Sequence, residues 1–358
     1  MPKKTQSYIG VDFGTSSIKI VELRSEDGHP RLLTYGYVEQ PTDVVKSDSK
    51  TSLEQLVMTL KAVISKAQTS SKRVVSALPS IAVFNSIISL PVMPAKELFS
   101  AVRWEAKKIV PMSLDEMVLD WRVLRTEGEA AVQQKNDNSL GTAEGPKTMK
   151  VLITAAPKTL VKRYMDIFKL AELEIVGLET EAFSLVRSLL GNDQSAVMVV
   201  DIGAIATEIS VILDGIPFLN RSIDVGGDTI TKSISNGLNI DSQRAEQIKR
   251  DFGISTGAST SQIPRVVEFV MNNIVNEIRY ILSLYQNQNE KPIEKIVLSG
   301  GSAFLPNLPA YLEQTIKLKT SIGDPWSHIA YPVEIKPVLD EIGPRFAVAI
   351  GLAMREIA

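Results

Sequence analysis

The 358-residue chain contains no cysteine and only two histidines, His29 and His328. Disulfides, thiolate metal sites and a cysteine nucleophile are therefore excluded, and histidine-rich metal centres nearly so. Two histidines so far apart in sequence also argue against a Ser-His-Asp hydrolase. Any chemistry must rest on carboxylates, lysine, hydroxyl groups and the backbone.

The chain also lacks an excess of charge of either sign and lacks long apolar runs. Lys and Arg total 39 against 41 Asp and Glu, a net charge of −2, so we expect no nucleic-acid partner. The apolar stretch Phe346–Met354 is far shorter than the roughly 20 residues that span a bilayer. No export signal is visible at the N-terminus. These features predict a cytoplasmic protein of about two domains with no direct membrane insertion.

Two segments of the chain, residues 8–23 and 197–213, follow the same strand–turn–strand plan. The aligned positions lie 189 residues apart and are Asp12 with Asp201, Gly14 with Gly203, and Ile18-Lys19-Ile20 with Thr207-Glu208-Ile209. A repeat distance of about half the chain indicates a duplicated domain, since solenoid repeats run about 20–50 residues.

Hydrophobic periodicity predicts a small αβ insert within the first half of the chain. Its predicted elements are the strands Val83–Leu90, Met117–Leu124 and Met149–Ala155, and helices from Pro94 to Ile109 and over Lys158–Leu170. Gly128–Lys147 is poor in apolar residues, and we interpret it as a mobile hairpin tip.

The remaining pattern alternates helices and strands, as expected for an α/β protein. The other predicted helices are Leu53–Gln68, Glu181–Leu190, Gly227–Leu238, Ser242–Arg250, Pro264–Gln286 and Arg345–Ile357, and the strands Glu174–Leu178 and Glu294–Ser299. We interpret the tryptophans Trp104, Trp121 and Trp326 as packing residues.

Three turns that contain glycine follow apolar strands, and they are the part of the sequence that indicates a binding function. Two are the Asp-x-Gly turns at Asp12 and Asp201, and the third is Gly300-Gly301. Glycine lets backbone N–H groups close on phosphate oxygens without a Cβ in the way. An Asp at the end of each of two strands is suited to holding a hydrated Mg²⁺. One such turn is a common hairpin, but three in corresponding places predict a phosphate site.

These three turns resemble the phosphate-1, phosphate-2 and adenosine motifs of the actin, Hsp70 and sugar kinase superfamily. The resemblance implies an α/β actin-like ATPase fold: two RNase H-like domains with a cleft that holds ATP and Mg²⁺, plus an inserted small αβ subdomain of the 1C or SHS2-like kind. It implies that Asp12 and Asp201 hold the metal through water. The implied cofactor-binding residues are Gly14, Thr15, Ser16, Lys19, Gly203, Thr207, Gly226, Gly227, Asp228, Glu246, Lys249, Gly300 and Gly301.

Within the superfamily the chain is similar to the PilM family of type IV pilus assembly and, next, to the division protein family FtsA. The stretch Leu90–Leu98, then Trp104-Glu105-Ala106 and Ile109-Val110-Pro111, resembles the PilM pattern around the insert, and Phe346–Arg355 resembles its closing helix. This resemblance implies a domain I (1A) of residues 1–82, 171–195 and 331–358, a 1C insert of residues 83–170, and a domain II (2A/2B) of residues 196–330.

The superfamily places a water-orienting side chain between the insert and the second repeat. Glu179 occupies that place and is the candidate catalytic residue, with Glu181 as the alternate. The second phosphate loop reads Ala204-Ile205-Ala206, where the superfamily supplies glycine and hydroxyl residues. We therefore expect slow hydrolysis at most, with ATP acting as a ligand that sets the state of the protein.

The resemblance implies an ATP-binding scaffold of pilus assembly, peripheral at the inner membrane through a partner. That partner is expected to be the N-terminal cytoplasmic peptide of the bitopic protein PilN, bound in a groove that includes roughly Val83–Ile109. Pilus motor ATPases, the platform protein and self-association are further candidate contacts. Two alternatives stay open: an FtsA-like polymerising division protein and a small-molecule kinase of the same superfamily.

Overall fold

The computed structural model describes residues 6–39, 50–126, 148–254, 262–287 and 291–357. The predicted hairpin tip Gly128–Lys147 lies outside these residues. The chain divides into two compact units, a larger one of residues 1–80 and 165–358 and a smaller one of residues 81–164.

The larger unit contains two five-stranded sheets of matching topology. The strands described in the two units together are β1 (Ser7–Phe13), β2 (Ser17–Glu26), β3 (His29–Glu39), β4 (Arg73–Leu78), β5 (Phe84–Pro91), β6 (Met117–Thr126), β7 (Thr148–Pro157), β8 (Glu174–Thr180), β9 (Val197–Ile202), β10 (Thr207–Leu213), β11 (Ile216–Ile223), β12 (Lys295–Ser299) and β13 (Lys319–Ile322), of which β5, β6 and β7 lie in the smaller unit. The first sheet has the order β3-β2-β1-β4-β8 and the second β11-β10-β9-β12-β13. The predicted duplication is therefore present as two copies of one sheet plan.

Asp-Gly turns join the outer strands of both copies. Asp27-Gly28 connects β2 to β3 and Asp214-Gly215 connects β10 to β11, and all four residues have positive φ. Two consecutive positive φ angles are the geometry of a type I′ turn, whose twist matches that of paired antiparallel strands. The repeat thus extends beyond the first hairpin of each sheet.

The helices cover the faces of the sheets. They are α1 (Lys50–Lys66), α2 (Ala95–Ile109), α3 (Lys158–Leu170), α4 (Glu181–Leu185), α5 (Gly227–Leu238), α6 (Ser242–Phe252), α7 (Gln262–Gln286), α8 (Leu308–Ile316) and α9 (Lys336–Met354). Helix α9 packs on β1 and β2 so closely that a Cβ at Gly10 would lie 1.9 Å from the Ala349 carbonyl oxygen. A buried core of aliphatic side chains from α7 packs against β9 and β10 in the second sheet.

The smaller unit is a three-stranded sheet of order β5-β7-β6 with α2 on one face. Its core contains Val102 and Ala106 of α2 and Val151, Ile153 and Ala155 of β7, all buried. Alternate residues of a strand lie on the same face of the sheet, so these three residues of β7 share one face.

Most predicted elements are present, and Lys158–Leu170 and Gly227–Leu238 have the predicted ends. The start of the closing helix was wrong: α9 begins at Lys336 and continues through Pro344. Proline is tolerated in a first helical turn, so Pro337 does not prevent this earlier start. The predicted helix from Glu181 changes to a π-helical turn at Val186.

The tryptophans differ in their surroundings. Trp326 is fully buried and Trp121 packs against Phe99, with ring centroids 5.4 Å apart, as expected of packing residues. Trp104 was predicted wrongly, since it is 66% exposed on the outer face of α2. None of the described helices is long and apolar enough to cross a membrane.

Candidate functional site

The first Asp-x-Gly hairpin, at Asp12, joins β1 to β2 and carries an acid–base pair. Asp12 lies opposite Lys19 across the two strands, and the Lys19 ammonium is 2.9 Å from its carboxylate. Gly14 leaves room for this arrangement, because a Cβ there would lie 3.0 Å from Lys19 Nζ. Thr15 and Ser16 are exposed at the tip of the turn. The hairpin therefore presents two hydroxyl groups next to a buried ion pair.

The second hairpin repeats the geometry with a different charge. Asp201 ends β9 and pairs across the strands with Glu208, the position that corresponds to Lys19 in the first hairpin. Two acids thus face each other where the first hairpin has an acid and a base. The Asp201 Oδ1 atom is buried and accepts no hydrogen bond within the part of the chain that the structure describes.

The loop of the second hairpin is braced by the start of α5. The amides of Gly227 and Asp228 donate to the carbonyl oxygens of Gly203 and Ala204, at 2.9 and 2.8 Å. Gly226 must lack a side chain, since a Cβ there would lie 2.5 Å from the Ala204 oxygen. These two amides therefore donate to carbonyl oxygens of the protein itself, and the turn before α5 stabilises the loop of the second hairpin.

Thr207 is also engaged within the protein rather than exposed in the loop. Its side chain is fully buried and its hydroxyl donates to the Val225 carbonyl oxygen at 2.6 Å. The hydroxyl ties the second hairpin to the segment that leads into α5.

The third turn closes against the second hairpin. Gly300 has φ +84°, and a Cβ there would lie 2.4 Å from Asp201 Oδ1. Only glycine fits this close approach and this backbone conformation. Its amide donates to the Pro344 carbonyl oxygen at 3.0 Å, and the next residue, Gly301, lies beside the Arg345 side chain. The three predicted turns therefore include two that meet directly at Asp201.

Glu246 and Lys249, which were predicted to bind the cofactor, lie on helix α6 next to the start of α5. Lys249 Nζ lies 2.6 Å from Glu246 Oε2 and donates to the Gly227 carbonyl oxygen at 3.2 Å. Both side chains also hydrogen-bond the Thr231 hydroxyl of α5. Spacing of three residues places them on one face of α6. The pair is thus anchored to the helix that supports the second loop.

Four acidic side chains, Asp12, Glu181, Asp201 and Glu208, interact at the centre of the site, and burial raises the pKa of the last three. Burial and then the charges of Glu208 and Asp12 raise the pKa of Asp201 to about 7, while Lys19 opposes the rise. Burial, together with the charge of Asp12, raises the pKa of Glu208 to about 7, while the hydrogen bond from Ser80 opposes the rise. Burial and then the charge of Glu208 raise the pKa of Glu181 well above its ordinary value. Several negative charges so close together and so poorly solvated favour protonation.

The two candidate catalytic glutamates lie in different surroundings. Glu179 forms an ion pair with Arg187 and lies 3.7 Å from Arg355 Nε, and burial raises the pKa of its carboxyl against the effect of Arg187. The pKa of Glu181, by contrast, is raised by burial and by the charges of Glu208, Asp12 and Asp201. The structure therefore brings the alternate, Glu181, to the acidic cluster, and it places Glu179 in an ion-pair network with two arginines.

The residues present fit a nucleotide with Mg²⁺, the group that the resemblance implies. The donor set is oxygen-rich, which suits Mg²⁺, and Asp201 Oδ1 is a buried acceptor without a partner among the described residues. Among those residues no three acidic or histidine side chains form a direct metal-ligand group.

Glu208 and Ser80 are site residues that sequence reasoning missed. The repeat alignment contained a signal for Glu208, since it set Glu208 against Lys19, a residue predicted to bind the cofactor. No comparable signal marks Ser80, whose hydroxyl donates to Glu208 Oε2 at 2.6 Å although the two lie 128 residues apart in sequence.

The chain is similar in sequence to curated cell division proteins. The chain is 23% identical to the cell division protein FtsA of Enterococcus faecalis over 342 residues, covering 85% of this chain and 76% of that protein. It is 24% identical to FtsA of Pseudomonas aeruginosa, covering 97% and 88%. These relatives support the FtsA-like branch that the sequence predicted.

Solved structures with actin-like folds are similar to this chain. A structure described as the PilM-PilN type IV pilus biogenesis complex matches with a TM-score of 0.81 and 27% identity, covering 98% of each chain. MreB 5 of Spiroplasma citri bound to AMPPNP matches with a TM-score of 0.56 and 14% identity, covering 97% of this chain and 95% of that one. The α/β fold is therefore the actin-like ATPase fold. Residues 10–357 match the family model described as type IV pilus assembly protein PilM, and the chain belongs to that family.

Proposed function

We propose that this pilus assembly protein is a nucleotide-dependent scaffold that binds ATP with Mg²⁺ at the three glycine turns. The observation that carries the proposal is the contact of Gly300 with Asp201, which joins two of the turns around a buried, unsatisfied carboxylate oxygen. The match to solved actin-like structures, among them MreB 5 bound to AMPPNP, supports it.

Different side chains of the site would bind the phosphates, the nucleoside and the metal ion. Thr15 and Ser16 would bind phosphate oxygens from the first turn, with the Lys19 charge alongside. Glu246 and Lys249 would hold the nucleoside from α6. When bound, Mg²⁺ would neutralise phosphate charge and polarise the phosphoryl group. Asp12 and Asp201 would orient the water ligands of the ion.

We assign the water-orienting role to Glu181 in place of Glu179, because Glu181 belongs to the acidic cluster. Turnover is expected to be slow, since Ala204-Ile205-Ala206 supplies no side-chain donors to the developing charge.

The partner in this proposal is the N-terminal cytoplasmic peptide of PilN, which would hold the protein at the inner membrane. The match to a PilM-PilN complex at 27% identity supports this partner. An extended peptide would gain main-chain hydrogen bonds and side-chain pockets. Bound ATP would change the affinity for the peptide only if the protein has two conformations and ATP binds one of them more tightly than the other.

The experiment measures binding of a fluorescent ATP analogue and of a synthetic PilN N-terminal peptide to the purified protein. We expect Asp12→Ala and Asp201→Ala to weaken nucleotide binding at least tenfold. Asp340→Ala removes an exposed carboxylate paired with Lys336 and should bind as the unchanged protein does. Nucleotide binding that survives both site changes would refute the site, and absence of peptide binding would refute the partner.

A second candidate, an FtsA-like polymerising protein, is favoured by the FtsA relatives at 22–24% identity. Sedimentation with and without ATP separates the two candidates. Filaments that pellet only with ATP would support polymerisation, whereas a scaffold would stay in the supernatant.

A further inference from the structure

An arginine of α9 lies beside the third glycine turn, outside the residues that the sequence predicted for the site. A Cβ at Gly301 would lie 3.3 Å from Arg345 Nε and 3.7 Å from Arg345 Cγ. The backbone fixes this arrangement, because the Pro344 carbonyl oxygen accepts hydrogen bonds from the Gly300 amide at 3.0 Å and from the Ser299 hydroxyl at 3.2 Å. A positive charge is therefore held next to the middle residue of the turn.

The third turn connects two parts of the proposed nucleotide site. Its first residue, Gly300, meets the second hairpin, since a Cβ there would lie 2.4 Å from Asp201 Oδ1. Its third residue, Ser302, meets the start of α5, because a Cβ at Gly227 would lie 2.6 Å from Ser302 Oγ. The same Cβ would lie 3.4 Å from the Lys249 ammonium nitrogen. The turn thus extends from the metal side of the site to the nucleoside side.

Arg345 lies beside the middle of this turn, between those two sides. In the proposed function Asp201 faces the metal ion, and Lys249 helps to hold the nucleoside. The group of a nucleotide that lies between its nucleoside and its metal-bound outer phosphates is the phosphate attached to the ribose. The position of Arg345 along the turn therefore matches that phosphate.

The protein contacts of Arg345 leave its guanidinium group able to bind a phosphate. Its Nη2 atom lies 3.3 Å from Glu39 Oε1, and its guanidinium carbon lies 5.9 Å from the centroid of the Tyr37 ring. The Arg345 side chain is 35% exposed and that of Glu39 is 63% exposed, and such exposed ion pairs contribute little to stability. A phosphate is a stronger partner, because a guanidinium group can donate two parallel hydrogen bonds to it.

We propose that Arg345 binds the phosphate nearest the ribose when a nucleotide occupies the site. The inference rests on the proposed function and adds to it a binding residue from α9. It concerns nucleotide binding, and it requires no hydrolysis.

The test measures the affinities of the unchanged protein, Arg345→Ala and Arg345→Lys for ADP and for ATP, each with Mg²⁺. Both nucleotides carry the phosphate nearest the ribose, so Arg345→Ala should weaken both by the same factor, about tenfold or more. Arg345→Lys keeps the charge without the planar fork and should recover part of the loss. A loss confined to ATP, or unchanged affinity for both nucleotides, would overturn the inference.

Two control variants separate the phosphate contact from the protein contacts of Arg345. Glu39→Ala removes the same ion pair from its other side and should not weaken nucleotide binding. Arg221→Ala is the matched control, because Arg221 pairs with Glu277 of α7 and lies 5.0 Å from the centroid of the Tyr280 ring. It should bind both nucleotides as the unchanged protein does. Weakening by either control equal to that by Arg345→Ala would overturn the inference.

Phosphorus-31 NMR of saturating ADP with Mg²⁺ supplies a readout that does not depend on affinity. Arg345→Ala should move the resonance of the phosphate nearest the ribose by more than that of the outer phosphate. A larger change at the outer phosphate would contradict the assignment.

The outcomes distinguish this inference from the proposed function. Unchanged protein that binds neither ADP nor ATP refutes the proposed function and the role of Arg345 with it. Unchanged protein that binds both nucleotides, with equal affinities in Arg345→Ala, refutes only the role of Arg345.

Discussion

At the scale of one residue, burial of the Asp201 carboxyl destabilises the folded protein. The charges of Glu208 and Asp12 add to the rise in its pKa that burial causes, while Lys19 and a hydrogen bond from Ser299 oppose it. Ionising such a group without a compensating cation is costly. The nucleotide-free protein should therefore be less stable than it would be with a neutral side chain at this position.

This arrangement predicts a pH dependence for Asp201→Asn. Below about pH 4 the carboxyl is protonated in both states, so the change should matter little. Between about pH 4 and 7 the unfolded chain releases the proton while the folded protein keeps it. The stability of the unchanged protein relative to the variant should fall across this window and stay low above pH 7.

We expect Asp201→Asn to be more stable by about 4 kcal/mol at pH 8 without nucleotide or Mg²⁺, because the pKa of Asp201 rises from 3.8 to about 7 on folding and one pKa unit corresponds to about 1.4 kcal/mol. Urea unfolding at pH 4 and pH 8 measures this difference. Equal effects of the change at the two pH values would contradict the raised pKa. The same variant should bind ATP poorly, so stability and function would change in opposite directions.

At the scale of elements, the closing helix α9 is held by backbone contacts that only glycine permits. A Cβ at Gly351 would lie 1.9 Å from the Ser184 carbonyl oxygen of α4, and α9 also rests directly on β1 at Gly10. Arg187 donates to the Gly351 carbonyl oxygen at 2.9 Å, which ties the π-helical turn to the same point. The helix therefore joins β1, α4 and the π-helical turn in one tightly packed contact.

Gly351→Ala is expected to destabilise the protein by about 3 kcal/mol or more, because the obstructing atoms are backbone and cannot rotate away. Gly237→Ala in α5 is the matched control, since the nearest atom to its new Cβ is 3.7 Å away. Alanine should stabilise that exposed helical position by about 0.5–1 kcal/mol. Thermal unfolding of both variants measures the difference, and equal shifts would show that the α4–α9 contact can relax.

At the scale of the whole molecule, the chain comprises two units with separate cores. The smaller unit buries Ile153 beneath α2, and the larger unit buries Ile296 in its second sheet. The tryptophans report the two units separately, because Trp121 lies in the smaller unit and Trp326 is buried in the larger one.

Ile153→Ala should therefore unfold the smaller unit first. Loss of a buried isoleucine costs about 2–5 kcal/mol, so the transition seen by Trp121 should move to lower urea while that seen by Trp326 stays in place. Variants that retain a single tryptophan separate the two signals. Ile296→Ala is the converse control and should move the Trp326 transition. Equal shifts of both signals would show one cooperative unit.

Local pattern alone located the two Asp-x-Gly hairpins at Asp12 and Asp201, their repeat distance and most helices. Turn chemistry and hydrophobic period depend on residues that are neighbours in the chain, so a sequence is enough to reveal them. The predicted residues Asp12, Asp201 and Gly300 needed no knowledge of packing. The boundaries of domains I and II and of the insert stay a prediction.

Tertiary structure alone decided which of these residues touch one another. The acidic cluster brings together Ser80, Glu181 and Glu208 from three distant segments. The hydrophobic periodicity of the sequence does not indicate contacts between residues so far apart in the chain. It also gives the two glutamates different surroundings, since Glu179 pairs with Arg187 while Glu181, two residues later, lies within the charges of the cluster. Proximity across the fold and the loss of solvent on burial set these partners and their charges, and both arise only when the chain has folded.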